Sequence, residues 1–357
     1  MASKTLGQPS VKDMLAALKR RCPWAEIRLA LQKAELPIGH GWDALEEKAS
    51  GSSDEAKAIR DNMHAFYIKY LLAGERYTQL YDVTADKMKV VIAKLQNGTI
   101  PESDYSTNYP FPLQSSKLSL LSAKPVLVAI ESLINGDLVL VFCSSRSFSE
   151  RMKYQDNEIS PQVKQVYSGI DELITIKKIY FQAFDLVICR SSLKRIEVCI
   201  DQPNLDHLDF EKHALKILGA AAAHIADLQE IFQSKPLNVF STIKEIFEEP
   251  KEGKVRSLSF RTLTGSRKSE KMVRSADDLR TETFHYAGMT AVKHEISPYE
   301  LTVEWVFPAP LGRAEIEFKA AIKALSFVDP HLTGFYVKAI ESVSFLEAVN
   351  KVVKYLP

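Results

Sequence analysis

The hydrophobic residues of this chain change their period partway along it, and that change limits the folds open to it. Val11, Met14, Leu15 and Leu18 recur at steps of three and four, the spacing that lines one face of an α-helix. Pro23 suits the first turn of a second helix carrying Ile27, Leu29, Leu31 and Leu36, and Pro37-Ile-Gly-His-Gly41 ends it. A third helix is expected over 42–49. After Ser50-Gly-Ser-Ser53, Asp54 caps a longer helix holding Ile59, Met63, Phe66, Tyr67, Tyr70 and Leu71. Tyr77 and Tyr81 extend the aromatic stripe of Phe66, Tyr67 and Tyr70, which reads as core or interdomain seam. Residues 11 to about 83 therefore read as a helical bundle.

Beyond a polar, proline-punctuated stretch ending near Lys124, the text becomes strand-like. Val126–Leu133, Asn135-Gly136 and Asp137–Cys143 spell two apolar runs around a hairpin turn. Further strands are expected at Ile174–Ile179, Ala183–Cys189 and Arg195–Ile200, followed by a helix over Leu208–Phe232 capped by Asp206 or Asp209. Pro236 and Pro250 bracket a short helix at Ser241–Glu248. Val255–Leu263 and Met272–Tyr286 read as strands around the Gly265-Ser266-Arg267-Lys268 tip. Tyr299–Phe307 alternates with Leu301, Val303, Trp305 and Phe307 on one side, Arg313–Phe318 reads as another strand, and Phe345–Leu356 as a final helix. The expected fold class is α+β: a helical bundle (1–83), a linker or surface loop (84–124), and a mixed α/β body. That body is open to division into two lobes, 125–235 and 236–357, with antiparallel sheets and a basic β-hairpin in the second.

Composition narrows the function classes. With 46 basic against 45 acidic side chains the net charge is +1, which excludes a polycationic or acidic-tail protein. No apolar stretch reaches the ~18 residues of a membrane span, and Met1–Ser10 lack the apolar core of a secretory signal. Cys22, Cys143, Cys189 and Cys199 show no CxxC spacing, and three lie in apolar runs, so a reducing, cytoplasmic setting is expected.

Patterns for catalysis are sparse. Asp185 and Glu197 lie on neighbouring expected strands, as the two carboxylates of PD-(D/E)xK nucleases do around a divalent metal. The position of the motif's lysine is Cys199, and Arg195 shares the face of Glu197. A degenerate metal-dependent nuclease is thus one alternative; a hairpin whose charges face water is the other. The eight histidines form no HxxxH or HxH pair, GxSxG is absent, and Gly39-His-Gly41 lacks a phosphate-loop context. No catalytic residue, metal or cofactor is assigned.

The charge distribution is more informative. Lys251, Lys254, Arg256, Arg261, Arg267, Lys268, Lys271 and Arg274 are opposed within that segment only by Glu252 and Glu270. A two-stranded ribbon carrying such cations can follow phosphates along a groove. Arg256, Arg261, Arg267, Lys268, Lys271 and Arg274 are the candidate nucleic-acid contacts. Arg146, Arg151 and Lys153 form a weaker cluster, and Lys19-Arg20-Arg21 suits a helix C-terminus. The competing readings are a solvated face and an acidic protein partner.

Phe66-Tyr-Ile-Lys-Tyr-Leu-Leu-Ala-Gly-Glu-Arg-Tyr-Thr-Gln-Leu-Tyr-Asp-Val83, closing a helical domain before an α/β body, resembles the corresponding region of centromere protein N. That resemblance implies a DNA-associated scaffold and carries no functional residue across. The sequence thus points to a non-enzymatic protein that binds DNA in preference to RNA through a basic hairpin, in phage defence or chromosome maintenance. An assembly subunit or homo-oligomer without nucleic-acid contact is the third alternative.

Overall fold

The computed structural model describes residues 11–133, 135–167, 172–202, 209–273, 277–292 and 295–357. Four helices open the chain: α1 (Val11–Lys19), α2 (Trp24–Lys33), α3 (Trp42–Ser50) and α4 (Asp54–Leu71). Ser53, rather than Asp54, caps α4 by accepting a hydrogen bond from the Ala56 amide. Strand β1 (Gly74–Asp82) follows, so the helical stretch ends at Leu71, about twelve residues before the expected end near 83. Gly74 makes the turn at φ 62°, where an added Cβ would lie 2.9 Å from the Tyr70 carbonyl oxygen.

The 84–124 stretch is not a bare linker. It holds α5 (Ala85–Gln96), α6 (Asp104–Asn108) and α7 (Ser115–Leu118), with Met88, Val91 and Leu95 of α5 buried. Next come β2 (Val126–Ser132), β3 (Leu138–Gln155), α8 (Pro161–Val166), β4 (Glu172–Arg190) and β5 (Arg195–Asp201). The two strands expected at 174–179 and 183–189 are one strand. The helix expected over 208–232 is two, α9 (Phe210–His224) and α10 (Asp227–Gln233), with Asp209 capping the first; Asp206 lies outside the described residues. The last third contains α11 (Phe240–Glu248), β6 (Lys254–Thr262), β7 (Arg267–Lys271), α12 (Thr283–Ala291), β8 (Ile296–Val306), β9 (Arg313–Lys319), β10 (Phe335–Ala339) and α13 (Ser342–Val353). The strand expected over 272–286 is not found among the described residues: β7 precedes it at Arg267–Lys271 and α12 begins within it at Thr283, and β10 is additional.

All ten strands form one antiparallel sheet in the order β2-β3-β4-β5-β1-β10-β9-β8-β6-β7. This corrects the two-lobe alternative. β1 pairs with β5 on one side (Tyr77↔Ile200) and with β10 on the other (Tyr77↔Tyr336), joining what would have been two sheets. One face is covered by α1–α4 and by α11 and α13, over a core that includes Leu18, Tyr67, Phe184, Val303, Phe318, Phe335 and Phe345. The opposite face of the first half is covered by α5, α9 and α10, which pack on Phe142, Val187, Val198 and Tyr77. On β8 the alternation holds as expected: Leu301, Val303 and Trp305 are buried.

The C-terminal helix is fastened to the sheet by one carboxylate. Glu252 accepts from Trp305 Nε1 (3.1 Å), Lys354 Nζ (2.8 Å) and Tyr355 Oη (3.1 Å), with Lys351 Nζ at 3.0 Å. Burial alone would raise this carboxyl; the lysine and indole contacts overcome that and bring it down to about 2. The folded state therefore takes up this proton at lower pH than the unfolded chain does. The stabilisation is complete above about pH 4.5, the ordinary glutamate range, and drains away as pH falls towards 2.

Two outcomes test this architecture. Glu252→Gln should lower stability at pH 7 by about 1–2 kcal/mol, because the lysines remain wetted, and flatten the decline below pH 4.5; denaturant midpoints against pH give the answer. Phe335→Ala, at the buried seam where Phe335 packs on Phe318 at 5.6 Å, should cost about 3–5 kcal/mol. In a single sheet that loss lowers the midpoint of the one unfolding transition, whereas two independent lobes would leave one transition in place.

Candidate nucleic-acid interface

β7 is the last strand of the sheet, bonded only to β6 among the described residues. Its register sets where each cation points. Arg261 lies opposite Arg267, and Lys271 opposite Ser257, while Lys268 lies opposite Phe260. Alternation then puts Arg261, Arg267 and Lys271 on the face away from α12 and Lys268 on the face that holds α12.

Two guanidiniums directly opposite each other repel, and local contacts spread them. The Arg267 guanidinium lies over the Tyr299 ring at 5.9 Å, and Arg261 Nη2 reaches the Leu325 carbonyl at 3.5 Å. Ser257–Thr302 (2.7 Å) and Ser259–Ser269 (3.0 Å) hydroxyl bonds run across the same strands, so the strip offers neutral donors beside the cations.

Arg256 departs from the expected role. The β-bulge between Val255 and Ser257 turns it inward, where it is largely buried and donates to the Asp277 carbonyl at 2.8 Å. Arg274 lies outside the described residues. Among the described residues, no carboxylate lies within ion-pair distance of Arg261, Arg267, Lys268 or Lys271, in contrast to Arg313–Glu304 and Lys319–Glu317 on the neighbouring strands. Those carboxylates bound the strip inward, so the positive character belongs to the outer edge.

The sequence reading missed the apolar groups beside this edge. Leu263 at the hairpin tip is 73% exposed, and Phe284 and Tyr286 of α12 are 78% and 61% exposed. Between them, His285 is buried, its Nδ1 2.5 Å from Glu270 Oε2 of β7 and its ring edge-on to Phe247 and Phe260. This contact fixes α12 against the hairpin. The Glu282 cap, three residues before His285, was the legible signal for a helix here.

Asp185 and Glu197 do not form a metal site. Asp185 lies opposite Phe142 and Glu197 opposite Ile188, and these partners belong to cores on opposite sides of the sheet. Neither faces water, since both are fully buried. Asp185 is ion-paired with Arg146 and accepts the Asp201 amide at 2.9 Å. Glu197 is held by Arg190 (2.9 Å) and Arg195 (2.7 Å). Burial alone would raise the Glu197 carboxyl, but the two guanidiniums outweigh it and hold it below its ordinary value. Among the described residues no cluster of His, Cys, Asp or Glu is suited to a metal. The four cysteines are free and buried, and burial pushes their thiols up, away from nucleophilic use. A cleft of about 640 Å³ between α5 and the α9–α10 corner is lined mainly by apolar groups such as Val90, Leu127, Ile130 and Leu140.

These ion pairs are structural. Glu197→Ala removes the carboxylate shared by two buried guanidiniums, leaving Arg190 only Asp137 and Arg195 only Asn350, and should cost about 3–5 kcal/mol, read as a lowered denaturation midpoint that Mg²⁺ or Mn²⁺ does not change. Equal stability of the variant and the parent would contradict the geometry.

No family model, curated protein or solved structure matches the chain, so the resemblance of 66–83 to centromere protein N gains no support from these comparisons. No described helix is long and apolar enough to cross a membrane.

Proposed function

We propose that this chain is a non-enzymatic nucleic-acid-binding protein whose contact surface is the β6–β7 edge of the sheet. The observation that carries the reading is the set Arg261, Arg267, Lys268 and Lys271, gathered on the two outermost strands with no carboxylate partner among the described residues. Charged groups also protect a sheet edge from pairing with another strand. An edge needs only one or two for that, however, and here the cations occupy both faces of the hairpin beside a row of hydroxyls.

Duplex DNA is favoured over RNA on shape. The major groove of B-form DNA admits a two-stranded ribbon, whereas the A-form major groove is too narrow for side chains to enter. Arg267, Lys268 and Lys271, with Arg261 behind them, then serve as phosphate contacts that position the ribbon without reading sequence.

The salt dependence of binding separates this role from mere edge protection. If the four cations each neutralise a phosphate, log Kobs for a short duplex should fall by about 3–4 per log unit of salt. Replacing all four by alanine should abolish most of that slope while leaving the thermal midpoint near that of the parent, since three of the four side chains are exposed. Fluorescence anisotropy with labelled duplex DNA provides both numbers. No binding at low salt would dispose of the proposal.

An assembly role has its own supporting observation, the ribbon of β3 and β4 that extends past the rest of the sheet.

A further inference from the structure

β3 and β4 outrun their neighbours. β2 pairs with β3 only as far as Cys143, and β5 pairs with β4 only from Leu186 onward. Beyond these points β3 and β4 continue alone, paired from Ser144↔Ala183 to Gln155↔Glu172. The outer pairs, from Phe148↔Ile179 onward, form a ribbon about 25 Å long at the ordinary rise per residue. No described strand bonds to either edge of it. It nevertheless carries β-branched residues in the open: Ile174 is 55% and Ile176 62% exposed. A long ribbon with free edges and exposed isoleucines is a template for another strand.

The sequence of the free β4 edge specifies that strand. Glu172, Ile174, Ile176 and Lys178 alternate onto one face, and their order is complementary to itself when reversed. An antiparallel copy centred on Thr175 places Glu172 opposite Lys178 of the other copy and Ile174 opposite Ile176, twice each by symmetry. Thr175 then faces its own counterpart. Opposite charges at both ends and β-branched pairs in the middle are the favourable cross-strand combinations. The match requires an identical segment running the other way, which a two-fold dimer supplies.

We infer that two copies of this chain associate through β4, edge to edge about Thr175, giving a continuous β3-β4-β4-β3 ribbon across a two-fold axis. Lys153, which pairs with Glu172 within one ribbon, flanks the intermolecular Glu172–Lys178 pair and leaves its carboxylate shared between two ammonium groups. The interface is small, so association belongs in the micromolar range rather than the nanomolar. The dimer would hold two β6–β7 edges in one particle, but its formation does not depend on their binding nucleic acid.

The test uses the full chain without nucleic acid. Sedimentation velocity should show a concentration-dependent monomer–dimer equilibrium. Lys178→Glu should shift it to monomer, because each Glu172 then meets a carboxylate. Combining Lys178→Glu with Glu172→Lys should restore the dimer, because the swapped pair is again complementary. Mild oxidation supplies a readout that leaves the charges alone. Thr175→Cys should give a disulfide-linked dimer rapidly, since residues facing each other across strands fall within the about 4.4–6.8 Å Cα separation a disulfide spans. Leu173→Cys, about 14 Å from its counterpart in this register, should not. The native cysteines are buried and do not compete. A monomer at every concentration would overturn the inference. A dimer indifferent to Lys178→Glu, or cross-linked equally well from position 173, would also overturn it.

Discussion

The placement of β1 between β5 and β10 is the constraint on which the rest of the structure depends. Neither half of the sheet has a complete hydrogen-bond ladder without it, and its two partners come from distant parts of the chain. Arg76 secures the position from within the strand. Almost fully buried, its guanidinium donates to the carbonyls of Ala73 (2.5 Å), Phe184 (2.6 Å) and Leu71, tying the end of α4 to β4. A buried guanidinium without acceptors would be strongly destabilising, so these carbonyls must be present together. That requirement orients the helical layer on the sheet and fixes where β4 leaves β5.

The departure of β4 is built from carboxylates. Where the β4–β5 ladder ends, Asp201 Oδ2 accepts the Phe184 amide at 2.8 Å and Asp185 Oδ1 accepts the Asp201 amide at 2.9 Å. Arg21 and Arg146 neutralise the pair from opposite faces. Burial alone would raise the Asp201 carboxyl, but Arg21 and Arg76 outweigh it and keep it below its ordinary value. Side chains here replace the backbone hydrogen bonds that the splayed strands give up, and the ribbon is free to project. The interior thus pairs its charges tightly, while the cations of the β6–β7 edge have no such partners among the described residues. That contrast, more than the number of positive residues, makes the edge a surface for an external anion.

The sequence was informative where one period dominated. The helical spacing of α1–α4 and the alternation of β8 were legible because each keeps its apolar residues on a single face. β1 was hidden because Tyr77 and Tyr81, four apart, fit the helical stripe of Tyr67 and Tyr70, although as alternate strand residues they share a face equally well. α5 was obscured by the prolines that follow it, despite Thr84 capping it and Met88, Val91 and Leu95 marking its face. At the candidate site, the strand pattern identified β6 with Arg261, but it put Arg267 and Lys268 in the hairpin tip and the second strand after Lys271, whereas β7 is Arg267–Lys271 itself. The pattern gave no warning of the bulge that buries Arg256. The carboxylates of Asp185 and Glu197 looked like a metal pair because alternation was read within each strand but not across the register joining them. Arg195, two positions from Glu197, was visible beside it, but nothing local names Arg190, 7 positions from Glu197, or Arg146, 39 positions from Asp185.

The claim with most consequence is that the open edge of this sheet meets phosphates. Hydrogen–deuterium exchange of the full chain, with and without a short duplex at low salt, locates the contact directly. Slower amide exchange confined to residues 254–271 and the adjoining α12 in the presence of DNA is the outcome expected of this edge. Unchanged exchange there, with protection elsewhere or nowhere, would contradict it.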